Sequence, residues 1–444
     1  MDYAPHTDAQ VQEMLRAIGV TSWEELVRAV PEDLRKPMEV PAGLTEPEVL
    51  AVAERLADAN TSLQQTASFL GGGCYAHTVP TAVDAIASRG EWLTPYTPYQ
   101  AEASQGILQA IYEFQTMICQ LTGMDVANAS VYDGASAVAE AAVLAMHATE
   151  RPRLLVSEAV HPHAREVLAT YVSGSHAIVQ QVPTVNGVTD LEALKQSLGP
   201  DVALVLLQQP NVFGCLEPMA QAAGLAHQAG SLFAASVYPV SLGLLQPPGA
   251  YGADIAVGEA RCLGTPPSFG GPGLGIFATT QALVRRMPGR LAGCTVDASG
   301  RRGFTLTLQT REQHIRRERA TSNICTNEGW IMLRATLFLS LLGPDGLREM
   351  AQRNLDLAHY ARQRLTEVPW VRAGFDQPFF NEFVLQYDGR DPARVNKALA
   401  RAGITGGLPL REWYPTMPEA ALWCATELTS RESIDRAAET LKTL

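Results

Sequence analysis

Apolar side chains recur at helical spacing through the first sixty residues and then give way to short β-rich runs, and that change of period divides the chain. Val11, Met14, Leu15 and Ile18 share one helix face, with Thr7 and Gln10 as a capping box ahead of them and Gly19 as a stop. Ser22 and Glu25 repeat the device before Leu26, Val27 and Val30, and Pro31 closes that segment. The pattern predicts an N-terminal helical arm over residues 1–65.

From 69 to 105 the chain carries too many Gly and Pro for a regular element, as in Gly71-Gly72-Gly73 and Tyr96-Thr97-Pro98-Tyr99-Gln100. An ordered loop of that kind often carries function. Ile107, Leu108, Ile111, Phe114, Ile118 and Leu121 then predict an amphipathic helix over 105–122. Runs at 154–157, 177–182, 202–207, 232–237, 255–257 and 274–278 alternate with helical stretches, which predicts a mostly parallel sheet covered by helices on both faces. A large domain over 66–325 follows from this. An arginine-dense segment, 301–319, leads to Thr321-Ser322-Asn323 and a helical run over 328–342. Beyond Gly343-Pro344, helix and strand alternate to a terminal helix capped by Ser430, giving a smaller C-terminal α/β domain over 326–444.

Composition narrows the function. With 46% hydrophobic and 18% charged residues the chain is an ordinary globular one that buries a core. Its net charge of −12, without a basic tail, argues against nucleic acid and against anionic membrane as partners. Residues 1–6 lack a basic region followed by an apolar core, and runs such as 202–207 are too short to span a bilayer, so the expected location is the cytoplasm. Seven cysteines without a C-x-x-C pair fit reduced thiols, most of them buried as small apolar side chains, and no metal site is expected. Lysine occurs only at Lys36, Lys195, Lys397 and Lys442. That scarcity matters below.

Several segments could carry chemistry. The small residues of 128–136 open an Ala-rich helix whose N-terminus could hold an anion, although a plain N-cap by Asp133 or Ser136 explains them as well. Ser268-Phe269-Gly270-Gly271-Pro272-Gly273 reads as a tight turn or a cofactor loop. Tyr96 and Tyr99 flank Pro98, which could aim two phenols in one direction. Thr321, Ser322, Asn323 and Thr326 put neutral donors ahead of a helix, either as caps or as a phosphate or carboxylate cradle. Arg301, Arg302, Arg311, Arg316, Arg317 and Arg319 form a solvated face, or dock an acidic protein or a substrate carboxylate. His161-Pro162-His163 suits stacking or packing rather than metal.

Taken in order, these segments resemble the glycine decarboxylase family, the P protein of the glycine cleavage system, and within it the N-terminal half or separate first subunit. The resemblance is carried by Pro5-His6-Thr7, Phe69-Leu70-Gly71-Gly72-Gly73, the run from Tyr96 to Gly106, Gln115-Thr116-Met117, Ala127-Asn128-Ala129-Ser130, the run from Pro248 to Ile255, Phe269-Gly270-Gly271-Pro272-Gly273, Arg311-Glu312-Gln313, the run from Thr321 to Thr326 and Pro378-Phe379-Phe380-Asn381-Glu382-Phe383. It implies fold type I of the pyridoxal-phosphate (PLP) dependent transferases. It also implies glycine as substrate, decarboxylation on PLP and transfer of the aminomethyl group to the lipoyl arm of the H protein.

The chain departs from that family's chemistry where the cofactor is tied. A lysine is expected shortly before the Gly-Gly-Pro-Gly turn, and Arg261 or Cys262 stands there instead, with no lysine between Lys195 and Lys397. An arginine stays protonated and forms no Schiff base. The strand that would offer an aspartate to the pyridine nitrogen, 234–239, offers none. The resemblance then implies that a lysine-bearing subunit 2 holds PLP in a heterodimer or heterotetramer. This chain would lend Tyr96 and Tyr99 to the glycine carboxylate, and Thr321, Ser322, Asn323 and Thr326 to the PLP phosphate. A free-standing PLP enzyme, and a scaffold that only docks the H protein, remain the competing readings.

Overall fold

The computed structural model describes residues 6–36, 40–63, 65–94 and 96–444, so the opening segment through Pro5 lies outside the described residues. The chain forms two compact units, divided between Ser62 and Leu63.

The first unit carries helices Asp8–Ile18, Trp23–Leu26 and Glu46–Asp58. Thr7 and Gln10 close the expected capping box, with the Thr7 N–H donating to Gln10 Oε1 at 2.9 Å, and Gly19 ends the helix in the left-handed region at φ 89°. The second box is not formed. Ser22 makes no side-chain cap bond, and the Glu25 carboxylate instead accepts from the Thr21 N–H and hydroxyl.

In the second unit a seven-stranded sheet places Val126–Ala127, Gly275–Thr279, Ile255–Glu259, Leu232–Val237, Val202–Gln209, Arg153–Ser157 and Ile178–Val182 side by side in that order. Gly275–Thr279 runs antiparallel to both neighbours, and the other pairs are parallel. The central strands are largely apolar because both faces are covered, as buried parallel sheets require, whereas the edge strand Ile178–Val182 carries two glutamines and is largely exposed. Alternation then sorts the side chains: Leu155, Val205, Leu207, Phe233 and Ile276 enter one core with helix Gln105–Thr122, while Leu154, Leu204, Leu206, Ile255 and Phe277 enter another with helix Gly134–Thr149.

The expected absence of regular structure over 69–105 fails at Thr81–Ala87, a helix that follows Pro80 and buries Val83 and Ala87. The helical run placed at 328–342 extends from Gly329 to Leu365, broken at Gly343, where φ is 60° and ψ is −176°. Pro344 then starts a new turn at a position where its missing N–H costs nothing.

The C-terminal layer is a four-stranded antiparallel sheet, Val371–Ala373, Glu382–Tyr387, Ala420–Cys424 and Leu408–Pro409, backed by helices Pro392–Arg401 and Arg431–Lys442. Ser430 caps the last helix, accepting the Ser433 N–H at 3.1 Å. Its core gathers Trp423, Tyr387 and Leu365 with Phe69, since Ala67–Ser68 pair in parallel with Ile404–Thr405. Among the described residues no helix is long and apolar enough to cross a membrane. Of the cysteines, Cys215, Cys262 and Cys424 are buried, whereas Cys294 and Cys325 are exposed, so the expectation that most are core side chains holds only for the first three.

Candidate functional site

A cleft of about 500 Å³ opens where the parallel strands end. Strand ends, loops and helix N-termini converge there in any open α/β sheet. Gln208, Ser236 and Glu259 reach it from three adjacent strands, Arg261 follows the last of these, and His161 and His163 follow Arg153–Ser157. The start of helix Gly134–Thr149 and the Gly72 to Tyr75 loop complete the wall.

The helix start is already supplied with negative charge. Asp133 Oδ1 accepts the Ser136 N–H at 2.7 Å, which makes Asp133 the N-cap. Glu259 Oε2 accepts the Gly134 N–H at 3.0 Å, while Oε1 accepts those of Arg261 and Leu274 at 2.9 and 2.8 Å. The N–H groups of Gly134 and Ser136, which an external anion would use, are therefore taken. Helix and strand end also press together: a Cβ on Gly134 would stand 2.8 Å from Glu259 Cβ, and one on Gly273 would stand 2.7 Å from Asp133 Cβ.

Arg261 is only 7% exposed, yet among the described residues its guanidinium has no hydrogen-bond or ion-pair partner and borders the cleft. His161 bonds the Gly72 carbonyl through Nε2 at 2.9 Å and meets Trp413 edge-on with ring centroids 4.9 Å apart. Burial pushes its pKa down to about 4, so it packs as a neutral ring. Beneath the wall, Glu382 accepts from the Gly72 N–H at 2.6 Å and from the Tyr75 hydroxyl at 2.7 Å, and burial pushes its carboxyl up to about 7. PLP tied through a lysine does not fit this cleft: there is no primary amine, Ser236 stands on the strand where a carboxylate partner is expected, and Glu259 has taken the helix N-terminus.

None of Tyr96, Tyr99, Thr321, Ser322, Asn323 and Thr326 is among the described residues lining the cleft. Tyr96 is 91% exposed, and Tyr99 is half-exposed with its ring 5.7 Å from the Arg290 guanidinium. Arg290 is buried and donates through Nη1 to Thr326 Oγ1 at 3.1 Å and Asn327 Oδ1 at 3.2 Å, and through Nη2 to the Cys325 carbonyl at 2.8 Å. One cation thus brings Tyr99 and Thr326 together. Ser322 Oγ accepts the Ile324 N–H at 3.1 Å and hydrogen-bonds the Glu140 carboxyl. Asn323 Oδ1 accepts from Gln313 Nε2 at 3.1 Å, and Thr321 is half-buried at the head of the loop.

The arginine segment is not uniformly a solvated face. Arg301 pairs with Asp297 at 2.9 Å in solvent, but Arg311 donates to the carbonyls of Met287, Leu308 and Gly289, the last at 2.8 Å, and so ties down the turn that carries Arg290. Sequence reasoning missed Arg290, Glu140 and the capping by Glu259. The available signal was a lone charge inside an otherwise apolar or small-residue stretch, which gains meaning only once it is buried.

A family model described as glycine cleavage system P-protein matches residues 1–441. The chain is 51% identical over 437 residues to a probable glycine dehydrogenase (decarboxylating) subunit 1 of Moorella thermoacetica, covering 98% of each chain. It is 48% identical to the protein of that description from Thermomicrobium roseum, covering 100% of this chain and 99% of that one. A crystal structure of glycine decarboxylase (P-protein) of the glycine cleavage system, in inhibitor-bound form, superposes with a TM-score of 0.92 at 48% identity, covering both chains in full. A sphingosine-1-phosphate lyase of Burkholderia pseudomallei, at 15% identity and TM-score 0.68, shares the fold.

Proposed function

The chain belongs to the glycine cleavage system P-protein family, and from that premise we propose that it acts as subunit 1 of a two-subunit glycine decarboxylase whose PLP is held by the other subunit. Its fold is fold type I of the PLP-dependent transferases. The observation that carries the reading is the strand end at Glu259–Arg261, where a guanidinium stands in place of an amine and a carboxylate occupies the anion-binding helix start. The electron sink for decarboxylation is therefore supplied by the partner.

What this chain lends is the exposed surface around Tyr99 and the 321–327 loop. Tyr96 and Tyr99 offer phenols to the glycine carboxylate, orienting it without a full countercharge that would stabilise the ground state as much as the transition state. Thr321, Ser322, Asn323 and Thr326 offer neutral donors to the PLP phosphate across the interface, with Arg290 holding Thr326 and Tyr99 in register. The exposure of Tyr96, Tyr99 and Phe269 supports a surface that is completed by another polypeptide. The aminomethyl product then passes to the lipoyl arm of the H protein.

Mixing the purified subunits tests this. Supplied with a lipoyl acceptor for the aminomethyl group, the pair should release carbon dioxide from glycine, and each subunit alone should be inactive. Full activity of the second subunit alone with a lipoyl acceptor would reduce this chain to a docking scaffold. In the active pair, replacing Tyr96 and Tyr99 together by Phe should lower turnover by about tenfold to a hundredfold while leaving PLP retention unchanged. Loss of PLP with normal turnover per bound PLP would refute the carboxylate role.

A further inference from the structure

The cleft described above has lost its fit to the coenzyme but has not closed. It remains open over about 500 Å³ at the strand ends, bordered by Arg261, a residue only 7% exposed whose guanidinium faces the opening with no hydrogen-bond or ion-pair partner among the described residues. An arginine left without a carboxylate, carbonyl or other acceptor in such a place gains most by meeting an anion that brings two acceptor oxygens in one plane.

We infer that this cleft is a binding site for a small carboxylate, received by Arg261 and separate from the catalytic site shared with the partner subunit. A phosphate or another dianion is disfavoured. The N–H groups of Gly134 and Ser136 are committed to Glu259 and Asp133, so a second negative charge would meet two carboxylates instead of a helix dipole. A single carboxylate matches in charge the one guanidinium among the described residues that line the cleft. Ser236 offers a hydroxyl from the end of the adjacent strand, and Asp133, which also lines the cleft, favours a ligand that also carries an ammonium group. An α-amino acid therefore binds better than a simple acid of the same size. His161 takes no part, because its Nε2 is committed to Gly72.

The inference rests on the proposal that this chain does not hold PLP, and the test separates the two. The full chain, without its partner, is titrated calorimetrically with glycine, acetate, inorganic phosphate and PLP. Glycine should bind saturably at one site, acetate more weakly and phosphate not measurably. Arg261→Gln should weaken glycine by at least about tenfold. Arg261→Lys, which keeps the charge but loses the fork, should give an intermediate value and covers the case in which the glutamine variant does not fold. Failure of both carboxylates to bind, equal binding of phosphate, or glycine binding unchanged in the folded Arg261 variants would each overturn the carboxylate site and leave the subunit assignment standing. Stoichiometric PLP binding that borohydride makes permanent on this chain would overturn both.

Discussion

At the level of single residues, Arg290 joins Tyr99 to the 325–327 turn. Its three donated bonds hold the 325–327 turn while its face carries Tyr99, so Arg290→Lys, which preserves charge but loses the planar fork, should cost about 1–3 kcal/mol of stability. Denaturant unfolding measures that loss, and the assembled complex should also retain PLP less tightly. Glu140 gives the loop a pH dependence. Burial pushes its carboxyl up to about 7, so the stability it contributes is full below its ordinary value of about 4.3 and is lost as pH rises through about 7. Glu140→Gln keeps a hydrogen bond to Ser322 without the charge. It should stabilise the chain at pH 8 by up to about 3 kcal/mol and leave it unchanged at pH 4, as unfolding midpoints at the two values would show. The sequence offers the hydroxyl-rich loop and the tyrosine pair as candidate donors. What holds them was not, because one arginine after Gly289 looks like any surface charge until the fold buries it.

Individual elements were legible to the degree that their signals were local. Helix Gln105–Thr122 has a sustained apolar period and Gly123, in the left-handed region, as its stop, and it was placed with both ends correct. Six strands of the seven-stranded sheet lie within one or two residues of the predicted runs, the central ones because burial on both faces makes them largely apolar, while Val126–Ala127 and the hairpin Leu291–Val296 and Arg302–Thr307 gave no such run. Thr81–Ala87 was missed, since two buried positions in seven residues set no period among the surrounding Gly and Pro. The helix beyond Gly343 was cut short because a Gly-Pro pair reads as an end when it is also a permitted beginning. The close seating of helix Gly134–Thr149 on Glu259 is the element contact that shapes the cleft. Gly134→Ala should cost about 1–3 kcal/mol through overpacking, and it should displace Glu259 from the helix start. An unchanged unfolding free energy would mean that the helix and strand end part without cost.

At the scale of the whole molecule, the chain keeps the architecture of a coenzyme-binding fold while its own strand ends carry Arg261 and a Glu259 that accepts the Gly134 N–H. The lysine scarcity visible in the sequence and the Glu259 bonds visible only in the structure both support the proposal that the reactive amine is supplied by a different polypeptide. Each subunit should then be inert alone and competent together, which the mixing experiment reads as activity. The location of the coenzyme is read more directly by reducing the assembled complex with borohydride in the presence of PLP and weighing each subunit. The mass of one pyridoxyl phosphate group should appear on the second subunit and none on this chain; a stoichiometric label on this chain would contradict the account.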